Sequence, residues 1–336
     1  ITNFTSDTAN PSSSTLFTIS GKTYTTIQNI LFDFFSTSQS NFCINAQSNC
    51  DYIAINNCVF NCYDNGGAGW TACPIRIVTS TTVNSFTIDR CLFTNHWVGV
   101  YFSSSAASNT TQNVSVTRCQ FFGGDFDISF DGNGLGRTVY NCTHCFNDRQ
   151  AITSSSGQTS ATSVYNCLFY RGSVALTGPA MVENYNRFIS TSPRTNVSPS
   201  GANSVSSGVA GLDFGYGLLT GIANQQMISS IVGSPNIQFG TASGAPVSDL
   251  YGVTWFNATP DAGAATYRSL SGVGIYQPTE RNASTITIAP GSTSQSIELY
   301  LGVTGLTAST SGLTARYNRT RTAQSLRRGH LVALRR

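Results

Sequence analysis

Lysine is nearly missing from this chain. Lys22 stands alone against seventeen arginines, and charged residues of both signs make up only 10% of the 336 residues. Such low charge, with Ser, Thr, Asn and Gly dominant, fits long β surfaces better than a helical cytosolic enzyme. No apolar run approaches the roughly 18–20 residues that a helix needs to cross a bilayer. No Ser/His/Asp order, phosphate-cradling loop or dinucleotide fingerprint is visible, and the three histidines (His96, His144 and His330) are scattered. Cysteine is absent after residue 167. With Ile1 as its first residue, the sequence says nothing about targeting.

A core is nevertheless affordable, with 40% hydrophobic residues and 11% aromatics. The first half carries a recurring phrase: an aliphatic residue, two others, a cysteine, one more, then phenylalanine. It reads Ile55-Asn-Asn-Cys58-Val-Phe60, Ile88-Asp-Arg-Cys91-Leu-Phe93, Val116-Thr-Arg-Cys119-Gln-Phe121 and Val164-Tyr-Asn-Cys167-Leu-Phe169. Ile27-Gln-Asn-Ile30-Leu-Phe32 fits with Ile in the Cys slot, and Val139-Tyr-Asn-Cys142-Thr-His144 with His in the Phe slot. The slots fall 28, 33, 28, 23 and 25 residues apart, a period that marks a stacked repeat. The phrase is too short for an amphipathic helix, and its alternating Val, Ile and Phe read as strand. About 25 residues per turn suits one coil of a parallel β-helix, with like residues stacked in columns roughly 4.8 Å apart. Asn29, Asn57, Asn141 and Asn166 precede the slot, where a left-handed residue would make the bend. Arg90 and Arg118 break that column. Val182-Glu-Asn184-Tyr185 is a candidate seventh coil at the short spacing of 18.

These repeats resemble right-handed parallel β-helix proteins, the pectate-lyase-like group and the phage tailspikes, over about residues 20–190. The resemblance implies architecture rather than chemistry, since that fold hosts both enzymes and inert scaffolds. Polygalacturonase-like enzymes carry a paired Asp-Asp and a Gly-His-Gly-type motif, and neither is present. Pectate lyases use an Arg or Lys base beside a calcium-binding acidic set, and Arg137 and Arg149 have no matching pattern around them.

The only dense acidic cluster is Asp125, Asp127 and Asp131. Asp125 and Asp127, two apart on a strand, are expected on one face, where they could share a proton or bind Ca²⁺. The plainer reading is a solvated strand whose acids cap bends. Of the ten cysteines, Cys58, Cys91, Cys119, Cys142 and Cys167 occupy the ladder and read as small buried hydrophobes. Cys43–Cys50 and Cys62–Cys73 are candidate local disulfides. Cys142-Thr-His144-Cys145, with His96 elsewhere, lacks the second ligand pair of a zinc site, so no metal and no cofactor is expected. Glycosylation sequons stand at Asn3, Asn109, Asn113, Asn196, Asn257, Asn282 and Asn318. An eighth, Asn141, sits beside the core in a bend and is a poor acceptor.

The expected division is a β-helix over 1–190, a Ser/Pro/Gly/Asn-rich linker over 191–211 and a β-rich assembly module over 212–336. Ile286–Ile288, Ile297–Leu301 and Leu313–Tyr317 alternate as half-buried strands, with Pro290-Gly291 and Ser311-Gly312 as turns, and predict a small β-sandwich. The stretch Ser296–Tyr317 resembles β modules of structural proteins of environmental tailed phages, which implies attachment or assembly. An unfinished sheet there would leave an open edge for a neighbouring subunit. The net charge of +3 comes from seven arginines in 316–336, a tail without acids, since the rest holds eleven basic and fifteen acidic residues. A solvated end explains this tail better than nucleic-acid binding.

The sequence therefore predicts an all-β extracellular or virion structural protein, a fibre, appendage or tail part. It would self-associate as a homo-oligomer or helical filament and could contact a surface glycan. The rivals are a polysaccharide lyase or hydrolase on the β-helix face and a non-catalytic carbohydrate-binding protein.

Overall fold

The computed structural model describes residues 2–6, 15–36, 41–47, 50–64, 72–79, 83–104, 111–132, 134–155, 161–179, 181–197, 200–207, 212–219, 222–230, 234–255, 258–265, 299–301 and 329–331. The regular elements among them are all strands. Two parallel sheets, of 14 and 8 strands, run through residues 2–207. The chain adds to one sheet, crosses to the other and returns one rung further on, an arrangement compatible with a parallel β-helix. By contacts, residues 1–210 and 235–266 form one compact unit, and 211–234 and 267–336 a second.

The phrase builds the columns of the first unit. Its aliphatic slot stacks Ile27, Ile55, Ile88, Val116, Val139 and Val164 in register. Its aromatic slot stacks Phe32, Phe60, Phe93, Phe121, His144, Phe169 and Phe188, with successive ring centroids 4.8, 4.9, 4.6, 5.0, 4.8 and 5.2 Å apart and planes within 12°. Ring spacing thus equals strand spacing. Burying each Phe contributes about 1.5–3 kcal/mol, and each stacked pair about 0.5–1.5 kcal/mol more. Phe17 meets Phe32 edge-on at 5.8 Å, and the Arg194 guanidinium lies 4.8 Å over Phe188.

The cysteine column is equally regular. Each thiol faces its own strand's carbonyl two residues back, at 3.2–3.4 Å, and a carbonyl of the preceding repeat at 3.6–3.8 Å. All ten cysteines are buried free thiols. Burial pushes Cys91, Cys119 and Cys142 well above the ordinary thiol range.

The bend before the slot is left-handed in every repeat. Asn29, Asn57, Asn141 and Asn166 have φ of 58°, 55°, 50° and 56°. Arg90 and Arg118 adopt the same conformation, at 52° and 51°, and so does Tyr185 at 55°. Backbone geometry therefore overrides residue type here. The arginines offset the cost, about 1–2 kcal/mol for an L-residue, through Asp89, which pairs with both. Arg118 binds it through Nε at 2.8 Å and Nη2 at 2.5 Å.

A seventh repeat exists, with its frame one residue later than the candidate Val182–Tyr185. Val164 pairs with Glu183 and Leu168 with Arg187, which puts Glu183 in the aliphatic slot and Asn186 in the Cys slot, 19 residues after Cys167. A carboxylate can occupy an apolar column only if its oxygens are satisfied. Glu183 accepts from Arg194, Gly201 N–H, Asn186 and Ser204 at 2.5–2.9 Å. The expected linker is also strand in part: Ser192–Thr195 and Val205–Ser207 add parallel rungs to the stack. Its Ser and Gly residues satisfy Glu183, which a composition-based reading takes for flexibility.

Residues 235–265 return to the first unit as a strap along the bend column. Asn166 exchanges hydrogen bonds with the Thr241 backbone, both at 2.8 Å. Asn141 donates to Asp261 O at 3.2 Å, Arg118 to Ser248 Oγ at 2.9 Å and Arg187 to Asn236 Oδ1 at 3.2 Å.

In the second unit, Leu212–Leu219 and Ile222–Ser230 form an antiparallel hairpin, and Leu299–Leu301 pairs with Gly329–Leu331. The expected strands 286–288 and 313–317, the turns 290–291 and 311–312, and most of the basic tail lie outside the described residues.

Candidate functional site

The acidic cluster is split rather than shared. Gly123 has φ of +67°, in line with the left-handed Asn95, Phe146, Arg171 and Ser190 of neighbouring repeats, so a second bend interrupts the strand. Beyond it, Asp127 is fully buried while Asp125 stays partly exposed. The two acids differ in burial because strict alternation is lost beyond the bend: the pairing register shifts between Gly124 and Phe126, and the neighbours Asp127 and Ile128 are both fully buried.

Asp127 sits between two imidazoles. Its Oδ1 is 2.9 Å from His96 Nε2 and its Oδ2 is 2.9 Å from His144 Nδ1, with no side-chain exposure on any of the three. Each ring donates one N–H to the carboxylate, which fixes both tautomers from the bonding pattern. His144 is held as a rung of the aromatic stack. His96 fits because Gly124 faces it: a Cβ there would lie 2.5 Å from Nε2. Gly99 gives similar room, since its Cβ would fall 2.7 Å from Asp127 O. The outer nitrogens, His96 Nδ1 and His144 Nε2, are buried without a hydrogen-bond partner. Burial and then the Asp127 charge push the neighbouring Cys145 thiol up. Such a group supports a fold and cannot touch a polymer.

The other acids face outward. Asp125 pairs with Arg149 at 3.1 Å, and Asp131 accepts from Tyr101 at 3.3 Å. They belong to a surface patch with its own small apolar floor of Phe42, Cys73 and Val98, against which Trp97, Tyr101 and Phe126 pack. Arg137, by contrast, is buried, lies 5.1 Å over Phe130 and donates to Gly132 O at 3.1 Å; burial lowers its pKa to about 10.

The expected disulfides Cys43–Cys50 and Cys62–Cys73 are not formed. Cys43 lies beside Cys62, Cys50 turns its thiol to the Ile19 and Gln47 carbonyls, and Cys73 turns to Ile75 O. Among the described residues, no group of three or more His, Cys, Asp or Glu is arranged to hold a metal, and no helix is long and apolar enough to cross a membrane. Of the sequons, Asn113 and Asn196 are exposed and Asn141 is fully buried. Asn3 lies on the first strand, and Asn109, Asn257, Asn282 and Asn318 lie outside the described residues.

Sequence reasoning missed the His–Asp–His group. Its one signal was His144 in a Phe slot. His96, five residues after Cys91, and Asp127, eight after Cys119, look unrelated until the rungs are aligned. In comparisons with known proteins, the chain matches no family model and no curated sequence.

Proposed function

We propose that the protein is a structural component of an extracellular fibre, appendage or virion. Residues 2–207 would form a right-handed parallel β-helix as its shaft, and the second unit a β-sandwich-like assembly module. The right hand follows from the rule that parallel crossovers are right-handed in about 98% of cases. The observation that carries the reading is the use of the ionisable groups. Asp127, His96 and His144 are consumed inside the fold, as are Glu183 and Asp89 in their ion pairs. Hydrolysis of a polysaccharide needs two carboxylates flanking one bond, and of the candidate pair only Asp125 is partly exposed, Asp127 being fully buried. Regular stacking, by contrast, is what a stiff repeating element requires.

Electron microscopy of the purified chain, with light scattering across a concentration series, tests this. Rods or discrete oligomers are expected. A strictly monomeric globular particle that releases reducing ends from pectin or alginate, with loss of that release in Asp125→Asn, would overturn it. Asp125 suits the test because its partner Arg149 is largely exposed, so the variant folds where an Asp127 variant is compromised.

A further inference from the structure

The fold keeps all ten of its cysteines as buried thiols, and their spacing makes that state easy to lose before folding. Ten cysteines allow roughly nine hundred complete pairings, and the native chain uses none of them. The entropy cost of closing a loop rises with its length, so an unfolded chain pairs its near neighbours first. Cys58–Cys62 and Cys142–Cys145 are the closest in sequence. In the fold these pairs lie along Val59–Asp64 and Thr143–Ser154. At about 3.3 Å per residue they stand roughly 13 and 10 Å apart, whereas a disulfide needs Cα atoms within about 7 Å. Either bridge therefore forbids the strand that carries it. The column offers no native alternative. In-register thiols on adjacent rungs have Cβ atoms about 4.8 Å apart, beyond the roughly 3.5–4.5 Å of a disulfide, and each sulfur is already turned to backbone carbonyls. The same region carries a second liability. Asn141-Cys142-Thr143 is an N-glycosylation sequon built into the core. Asn141 is fully buried at a left-handed bend and donates through Nδ2 to Asp261 O at 3.2 Å, and Thr143 Oγ1 accepts from Ala264 N–H at 2.9 Å. Transfer from a lipid-linked oligosaccharide would replace one Nδ2 hydrogen with a bond to the anomeric carbon, the lipid phosphate leaving with the proton. The bulky glycan would then stand where the strap closes on the bend. Asn113 and Asn196, both exposed, have no such conflict.

We propose that the chain reaches its native fold only in a reducing compartment that does not N-glycosylate, and meets an oxidising medium already folded. In an oxidising compartment a small disulfide takes two electrons from two cysteine thiols. One S–S bond forms in the chain, the two protons pass to the small disulfide, and it leaves as two thiols. Such bonds persist in oxidising compartments and are reversed in the cytosol, so the unfolded chain is trapped in the first and not in the second. After folding the hazard is gone. The burial that holds Cys91, Cys119 and Cys142 above the ordinary thiol range denies an oxidant the thiolate it needs. The requirement holds equally for a shaft, an enzyme or a binding protein, and so goes beyond the proposed function. Joined to that function, it means that the fibre or virion part is released as a finished fold rather than threaded out as an unfolded chain.

Cell-free synthesis of the full chain in three arms is the test: with dithiothreitol, with oxidised glutathione, and with dithiothreitol plus glycosylating microsomes and a secretory leader ahead of Ile1. Trypsin resistance reads the fold, and intact mass after iodoacetamide, before and after unfolding, counts thiols. The reducing arm should give a resistant product whose ten thiols label only after unfolding. The oxidising arm should lose most of that product and accumulate disulfide-bonded chain, which dithiothreitol rescues. Oxidised glutathione added after folding should change nothing. In microsomes, chains glycosylated at Asn141 should be sensitive, while those modified only at Asn113 or Asn196 stay resistant. The proposal is overturned by equal resistant product in the oxidising arm, by a disulfide or an Asn141 glycan within resistant product, or by no resistant product in the reducing arm. Asn141 left unmodified in every microsomal chain overturns it too, because the sequon then poses no barrier. These outcomes are separable from the structural role, since folding is read and assembly is not.

Discussion

The early repeats, around Ile27 to Phe93, and the later ones, around Val116 to Phe188, share backbone geometry and differ in what holds them. In the early part the repeat columns are apolar, and the bend side chains pair with near neighbours. Asn57 donates to Asn29, and Arg90 pairs with Asp89. In the later part polar groups enter the core: His144 and Asp127 among the aromatics, Glu183 and Asn186 at the last rung. The strap seals the bends, so Asn141 and Asn166 are fully buried. A parallel stack can thus be stabilised by repetition alone, or by individual polar arrangements that belong to one rung only.

The largest contrast is expected at Asp127. Asp127→Ala leaves two buried imidazoles without their acceptor and should cost about 3–5 kcal/mol, read by urea unfolding. Phe60→Leu in the early stack loses two stacked pairs and some ring volume and should cost about 1–3 kcal/mol. Equal losses would erase the distinction. The bend supplies a cleaner pair, since glycine accepts φ near +55° freely. Asn57→Gly should cost under about 1 kcal/mol. Asn166→Gly abandons both Thr241 backbone groups and should cost about 2–4 kcal/mol, given roughly 1–3 per unsatisfied group.

Next comes acid. Burial pushes the Glu183 carboxyl up, but hydrogen bonds from Ser204, Gly201 N–H, Asn186 and Arg194 outweigh it and hold it below the usual glutamate range. A depressed folded-state pKa gives stability that is full above the unfolded value, about 4.3. That stability is lost as pH falls through the folded one. Unfolding free energy followed from pH 6 to 3 should therefore fall less steeply in Glu183→Gln than in the parent chain. The smallest difference is expected in the cysteine column, which continues from Cys58 to Cys167 across both regions. No thiol should react with iodoacetamide in the native protein and ten after unfolding, while Cys58→Ala and Cys142→Ala should cost similar amounts.

Much of the architecture was legible in residues because the phrase is short and local: aliphatic, Cys and Phe slots alternate on one strand, and their period gives the stack. The left-handed bend was legible where Asn marks it. At Arg90, Arg118 and Tyr185 it was hidden, because a stacked backbone imposes its conformation on whatever residue sits there. The last repeat escaped for a similar reason: Glu183 in an aliphatic slot makes sense only once Arg194 and Ser204 are beside it. The polar group around Asp127 and the strap from 235 to 265 depend on long-range pairings that no local pattern records, and so does the aromatic patch.

Identical rungs carry a folding hazard. A chain whose repeats mostly present an aliphatic residue, Cys and Phe could zip up one rung out of step and still satisfy most of its apolar contacts, because Ile and Val distinguish neighbouring partners only weakly. The His96–Asp127–His144 group removes that degeneracy. Only one alignment sets both imidazoles against the carboxylate, and any slipped alignment buries a lone charge under a phenyl ring. A buried polar group of this kind acts as an index mark, trading some stability for a unique register. Here it sits near the middle of the stack, where one mark constrains the rungs on either side.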